Sequence, residues 1–200
     1  MMTMQRGTLD LSAASATLSE SGPAITLTVD RTGGSDGTVT VDYATADVTA
    51  NAPGDYQALS GTLTFLNGEL SKTLTLTPNG DTVWEPNEDF TLTLSNVVDA
   101  ILGTQTSTTV TITDDDPAPP AGAIDLSGAS FSVSEAGPAL EITVNRSGGS
   151  FGTVTVDYTG ANGSATSPAD FDPVNGTLTF LDGVLTQTIM VTPVDDTTWE

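Results

Sequence analysis

Glu20, Asp55, Asp81, Glu85, Glu88 and the run Asp114, Asp115 and Asp116 lie in segments that hold no lysine or arginine. Carboxylates gathered without a cation repel one another. Two of them about 5 Å apart cost roughly 3 kcal/mol at an effective dielectric of about 20. A hard divalent cation relieves that cost. Carboxylates and backbone carbonyls on loops suit Ca²⁺, which takes about six to eight oxygens in flexible geometry, better than they suit Mg²⁺. The chain has no histidine and no cysteine, so the usual zinc ligands are missing, as are an imidazole base and a Ser-His-Asp arrangement. Asp81 and Glu85 could in principle act as a glycosidase pair. A short module with no second cleft-forming element argues against that, and the chain is expected to bind rather than to catalyse.

These acids matter only if the fold brings them together. Thr, Val, Leu, Ser and Gly dominate the sequence, which favours strands and tight turns, and no window shows capped helical periodicity. Period-two alternation predicts strands at residues 24–31, 38–44, 61–66, 72–77, 90–95 and 108–113, with a short one near 16–19. Gly33-Gly34-Ser35-Asp36-Gly37 and Asn67-Gly68 predict tight turns. Seven short strands at this spacing predict an all-β, immunoglobulin-like sandwich. Successive antiparallel strands reverse direction, so alternate loops share an end. That parity places Glu20, Asp55, Asp81, Glu85, Glu88 and the three terminal aspartates at one end, leaving Asp36, Glu69 and Asp99 at the other.

The module occurs twice. Shifted by 115 positions, residues 10–85 align without a gap on residues 125–200, and 42 of the 76 aligned positions are identical. The expected organisation is a first sandwich over residues 9–116, a Pro-rich linker over 117–123, and a second sandwich over 124–200. The second copy ends where the first still has two strands to go, so it is expected to be truncated and the chain to belong to a longer array.

The balance of 26 acidic against four basic residues gives a net charge of −22. Such a chain repels phosphate backbones and anionic lipid, so no nucleic-acid partner and no membrane insertion are expected. Met1-Met2-Thr3-Met4 carries no basic region leading into an apolar core, so no signal peptide is expected in this segment. No apolar run reaches membrane-spanning length. The lack of cysteine fits an intracellular protein and a bacterial surface protein equally. Trp84 and Trp199 read as loop anchors in preference to sugar-stacking rings, and Asp55 and Asp170 are also placed to cap turns.

Several segments together resemble the Calx-beta domain family of sodium–calcium exchangers, integrin beta-4 and many large bacterial surface proteins. They are Ser19-Glu20-Ser21-Gly22, Arg31-Thr32-Gly33-Gly34, Val39-Thr40-Val41-Asp42-Tyr43, Gly54-Asp55-Tyr56, Gly61-Thr62-Leu63-Thr64-Phe65, Trp84-Glu85-Pro86-Asn87-Glu88-Asp89-Phe90 and Val110-Thr111-Ile112-Thr113-Asp114-Asp115-Asp116. The resemblance covers the whole first module and the second as far as it runs. It implies a seven-stranded sandwich holding calcium at one end, through Glu20, Asp55, Asp81, Glu85, Glu88, Asp114, Asp115 and Asp116, with the Val83 carbonyl. By the repeat it extends to Glu135, Asp170, Asp195, Asp196, Thr198 and Glu200. The sequence departs from the family at Gly80-Asp81, where calcium-binding members often carry consecutive aspartates; the second copy keeps Asp195-Asp196.

Two functional readings follow. One is a calcium-binding module that stiffens a cell-surface or secreted array, its partners being calcium ions and neighbouring repeats. The other is a structural or adhesive spacer whose acidity serves solubility.

Overall fold

The computed structural model describes residues 4–195. The chain divides into two compact units, Met1–Pro117 and Ala118–Glu200. Every regular element is a strand, so among the described residues no helix is long and apolar enough to cross a membrane.

The first unit contains β1 (Thr8–Leu11), β2 (Ser15–Ser19), β3 (Ile25–Thr32), β4 (Val39–Asp47), β5 (Ser60–Phe65), β6 (Ser71–Leu76), β7 (Glu88–Val98), β8 (Ile101–Leu102) and β9 (Ser107–Thr113). They form a four-stranded sheet in the order β6-β3-β1-β8 and a five-stranded sheet in the order β2-β9-β7-β4-β5. All seven strands predicted from alternation are present. β1 and β8 are additions, too short for alternation to register. The β1 side chains Leu9 and Leu11 are buried nonetheless, because β1 pairs with β3 and β8. β7 is longer than predicted, since it pairs with β4 on one side and β9 on the other.

Inward side chains of the two sheets make the core: Leu27, Val29, Leu74 and Leu76 from one, Val39, Val41, Phe65, Phe90, Leu92, Leu94, Val110 and Ile112 from the other. Each fully buried side chain of this size contributes roughly 1.5–3 kcal/mol. At the glycine-turn end, Gly68 has φ +87° and Gly33 φ +71°, conformations that glycine adopts without a Cβ clash.

That same end absorbs the basic residues. Arg31 is 2% exposed, and its guanidinium donates to the carbonyls of Arg6, Asp36, Gly37 and Leu66. These charge-assisted bonds offset its desolvation. Arg6 pairs with Asp99 at 2.6 Å and Lys72 with Glu69 at 2.8 Å. In the second unit Arg146 repeats the carbonyl clamp with Ala121, Phe151 and Leu181.

The second unit contains β10 (Ala123–Leu126), β11 (Leu140–Ser147), β12 (Val154–Thr159), β13 (Asn175–Phe180) and β14 (Thr186–Val191). They form the sheets β10-β11-β14 and β12-β13, with Val144, Phe180 and Ile189 as the buried cluster. Residues 130–134, the counterpart of β2, form no strand. In the first unit β2 pairs with β9 alone, and the described part of the second unit has no counterpart of β9. Leu18 of β2 is accordingly 1% exposed, while its counterpart Val133 is 39% exposed.

Candidate metal centre

The strand directions deliver the acids to one end of the first unit. β2 and β9 run parallel, with Ser19 opposite Thr113, so Glu20 and Asp114 leave the sheet side by side. The Glu20 amide donates to the Thr113 carbonyl at 3.0 Å. β4 descends antiparallel to β7 and ends at Asp47 opposite Phe90, which puts the following loop, with Asp55, beside Glu88 at the start of β7. An antiparallel bridge of Tyr56 to Pro78 ties that loop to the chain leaving β6. The Asn79 amide donates to the Asp55 carbonyl at 2.9 Å, two residues before Asp81.

Two groups of three carboxylates result: Glu20, Asp81 and Asp116; and Asp55, Glu85 and Glu88. Within each, one oxygen per residue lies within 4.8 Å of the others. Oxygens sharing one Ca²⁺ at 2.3–2.6 Å each are at most about 5 Å apart, so the spacing fits. In the first group Glu20 is only 7% exposed and accepts the Asp81 amide at 3.0 Å. Asp116 Oδ2 is buried with no hydrogen-bond partner. A buried, unpartnered carboxylate oxygen facing other carboxylates calls for a cation. The donors are all hard oxygens, which suits calcium.

The remaining predicted ligands are placed differently. Asp114 Oδ1 accepts the Glu85 amide at 3.0 Å, linking the ends of the two loops. Asp115 turns aside, accepting Ser19 Oγ at 2.8 Å and also Ser21 Oγ. Val83 is exposed and donates its amide to Asp81 Oδ1 at 2.6 Å. Gly80, where the family often has an acid, sits against Glu20. A Cβ there would lie 2.9 Å from the Glu20 carbonyl oxygen, so the missing aspartate coincides with close backbone approach.

Burial and charge repulsion together raise four of these groups. Burial, the hydrogen bond with Asp55 and repulsion from Asp55, Glu85 and Glu20 push Glu88 up to about 7. Burial and the charges of Asp55, Asp81, Glu20 and Asp114 raise Glu85. The Asp81 amide favours ionised Glu20, but burial and repulsion from Asp81, Asp116 and Asp114 outweigh it and raise its pKa. Asp116 is raised by burial and by Asp114, Asp115 and Asp81. Asp115 moves the other way, held down by Ser21 and Ser19.

In the second unit Glu135 is exposed and Asp170 half-buried. Asp170 Oδ2 accepts the Thr166 amide at 2.6 Å. Both acids line a cavity of about 550 Å³ together with Phe131, Val133 and Phe171. Asp195 is exposed. Asp196, Thr198 and Glu200 lie outside the described residues. Among the described residues both three-carboxylate groups belong to the first unit.

Sequence reasoning missed the supporting residues. Ser19 and Ser21 flank Glu20 and occupy Asp115; their signal was the Ser-Glu-Ser spacing. Asn87 Oδ1 accepts the Asp114 amide at 3.3 Å. Asp47, at the end of β4, accepts the Tyr56 hydroxyl at 2.6 Å and the Ala52 amide at 3.1 Å through the same oxygen. Burial and that carboxylate push the Tyr56 phenol up to about 12.

Comparison with known proteins identifies the family of the fold. Residues 3–116 and 120–200 each match the model of the Calx-beta domain. Sodium/calcium exchanger 1 of Canis lupus familiaris is 35% identical over 196 residues, covering 88% of this chain and 20% of the exchanger. Sodium/calcium exchanger 3 of Homo sapiens is 33% identical over 200 residues, with 88% and 21% covered. The chain thus spans about a fifth of the length of these relatives. Among solved structures, CBD12 from CALX1.2 aligns with a TM-score of 0.53 at 27% identity, over 96% of this chain and 76% of that one. The calcium binding domain CBD12 of CALX1.1 aligns with a TM-score of 0.52 at 28% identity, over 94% and 76%. The apo-form Calx CBD1 domain aligns with a TM-score of 0.53 at 28% identity, over 55% and 97%. With its duplicated sandwich and both halves matched, the chain belongs to the Calx-beta domain family.

Proposed function

We propose that the chain is a calcium-binding pair of modules from a larger, cell-surface or secreted repeat protein, and that it is not an enzyme. Carboxylates at one end of the first sandwich hold Ca²⁺, and their repeat counterparts in the second bind it more weakly. The observation that carries this reading is the pair of three-carboxylate groups with oxygens within 4.8 Å. It is strengthened by the orphaned Asp116 Oδ2 and by the use of all four basic residues elsewhere. Likeness to the calcium binding domain of CALX1.1 supports the same ion.

Glu20, Asp81 and Asp116 would hold one ion, and Asp55, Glu85 and Glu88 another. The ion would supply the positive charge that these loops lack. Because Asp116 directly precedes the Pro-rich linker, ordering this end also fixes where the chain leaves the first sandwich. This is how calcium would stiffen an array of such modules, with neighbouring repeats as the partners. The surface or secreted location rests on the family's occurrence in large surface proteins, and protease accessibility on intact cells tests it.

Calorimetric titration of the chelator-stripped chain decides the calcium reading. Saturable Ca²⁺ binding, with Mg²⁺ weaker, is expected. No heat at millimolar Ca²⁺ together with unchanged melting would leave a structural spacer whose acidity serves solubility.

A further inference from the structure

We infer that Asp47 and Tyr56 form a latch that positions the Asp55-bearing loop for metal binding in the first unit, a role that rests on the calcium reading above. Neither residue belongs to the two carboxylate groups. Asp47 closes β4 and pairs in register with Phe90. The Tyr56 ring is 1% exposed and stacks on Phe90 with centroids 3.9 Å apart and planes 6° from parallel. Its hydroxyl donates to Asp47 Oδ1 at 2.6 Å. Asp47, Tyr56 and Phe90 therefore close a ring of contacts around the neighbours of Asp55 and Glu88. The loop is fastened at three further points. Ala52 N donates to Asp47 Oδ1 at 3.1 Å, Asn51 N to Asp55 Oδ2 at 2.6 Å, and Asn79 Nδ2 to the Pro53 carbonyl at 2.6 Å.

The second copy supplies the internal comparison. At the 115-residue shift Asp47 becomes Asn162 and Tyr56 becomes Phe171. Asn162 Oδ1 still accepts the equivalent loop amide, Ser167 N, at 2.9 Å. An asparagine therefore suffices to hold that amide. The carboxylate stands where a phenol is present to be held, and the two are replaced together. A phenol donating to a carboxylate is charge-assisted and stronger than its neutral counterpart. A ligand loop fixed before the ion arrives spares the ordering cost on binding.

The test uses the full chain with Tyr56→Phe, Asp47→Asn, the double variant, and Asp36→Asn as a control at the opposite end. Calcium affinity of the first unit is read by calorimetry, and amide exchange of residues 51–56 and melting are read in chelator. Tyr56→Phe should weaken calcium binding by about tenfold, the size of one lost hydrogen bond to a charged group. Asp47→Asn should weaken it severalfold. The double variant should be no weaker than Tyr56→Phe, because both changes act on one shared bond. Loop amides should exchange faster in all three, with chelator-state melting falling by no more than the loss of that one bond accounts for. Additive losses, or unchanged affinity, would overturn the latch. If the unaltered chain takes no calcium, the calcium reading fails, and amide exchange alone decides the latch: unchanged exchange at residues 51–56 would overturn it.

Discussion

Glu20 and Glu135 occupy the same place in two copies of one module, yet the first is 7% exposed and the second lies in the open. The difference begins with hydrogen bonding, not with the glutamates. In the first unit β9 holds β2 in place, so Leu18 faces the core and Glu20 follows it to the edge of the sandwich. In the second unit the described residues offer β2's counterpart no partner, and Phe131 and Val133 line a cavity instead. A ligand set on loops is only as well placed as the strands that end beside it. Identity at the acidic positions is thus a poorer guide to a site than the presence of the supporting sheet.

Calcium offers the sharpest way to break that comparison. At a concentration about a hundred times the dissociation constant, a ligand of the folded state adds roughly 2.7 kcal/mol. For a domain of this size that raises the melting temperature by on the order of 10 °C. We expect that shift in the first unit's transition and little in the second's, measured with and without chelator. Equal shifts would mean that the second unit assembles its site without a strand beside residues 130–134.

Hydrogen exchange should separate the units next. β4 is paired on both sides, with β5 and β7, whereas among the described residues β12 is paired with β13 alone. Amides at 153–158 should exchange at least tenfold faster than those at 38–43 in a monomeric sample. Comparable protection would show that the second sandwich is closed.

Single substitutions should then resolve the site itself. Glu20→Gln and Glu85→Gln should each weaken calcium binding by about tenfold, the size of one charged interaction. Asp115→Ala should cost less, since Asp115 is engaged by Ser19 and Ser21. Asp36→Ala, at the other end, should be neutral. Equal effects of all four would mean diffuse charge and no discrete site.

The smallest effect is on pH. Glu88 titrates near 7 in the folded first unit, above the usual carboxylate range. The folded state therefore holds more protons than the unfolded one between about pH 4.5 and 7, and stability falls as pH rises through that window. Melting of the chelated chain should decline modestly across it, and saturating calcium should flatten the decline. A rising profile in chelator would contradict the crowding of Glu88.

Much of this architecture was legible in the residues. Alternation located the seven principal strands, and strand parity put the acids at one end. β1 and β8 were not legible, because four and two residues carry too little pattern and their pairing is non-local. Parity also assigns a residue to an end without giving the direction of its side chain. It could not divide six acids into two groups of three, nor set Asp115 apart from Asp114 and Asp116. Asp115 instead bonds Ser19 and Ser21, a choice of partner beyond the end of β9 that parity does not carry. The Asp47–Tyr56 contact was visible only as a paired change between the copies, which acquires meaning once the two side chains are seen to touch.

The parallel pairing of β2 with β9 also orders events in time. Ser15 faces Thr109 and Ser19 faces Thr113, so β2 waits for the last strand of the module before it has a hydrogen-bonded neighbour. Closing so long a loop is entropically costly and slow. On a ribosome, Leu18 stays uncovered until nearly the whole first unit has emerged. Glu20 meets Asp116 only when that final strand docks. The group of Glu20, Asp81 and Asp116 is therefore a late product of folding, and a chain interrupted before Thr113 would carry two of its acids but not the third.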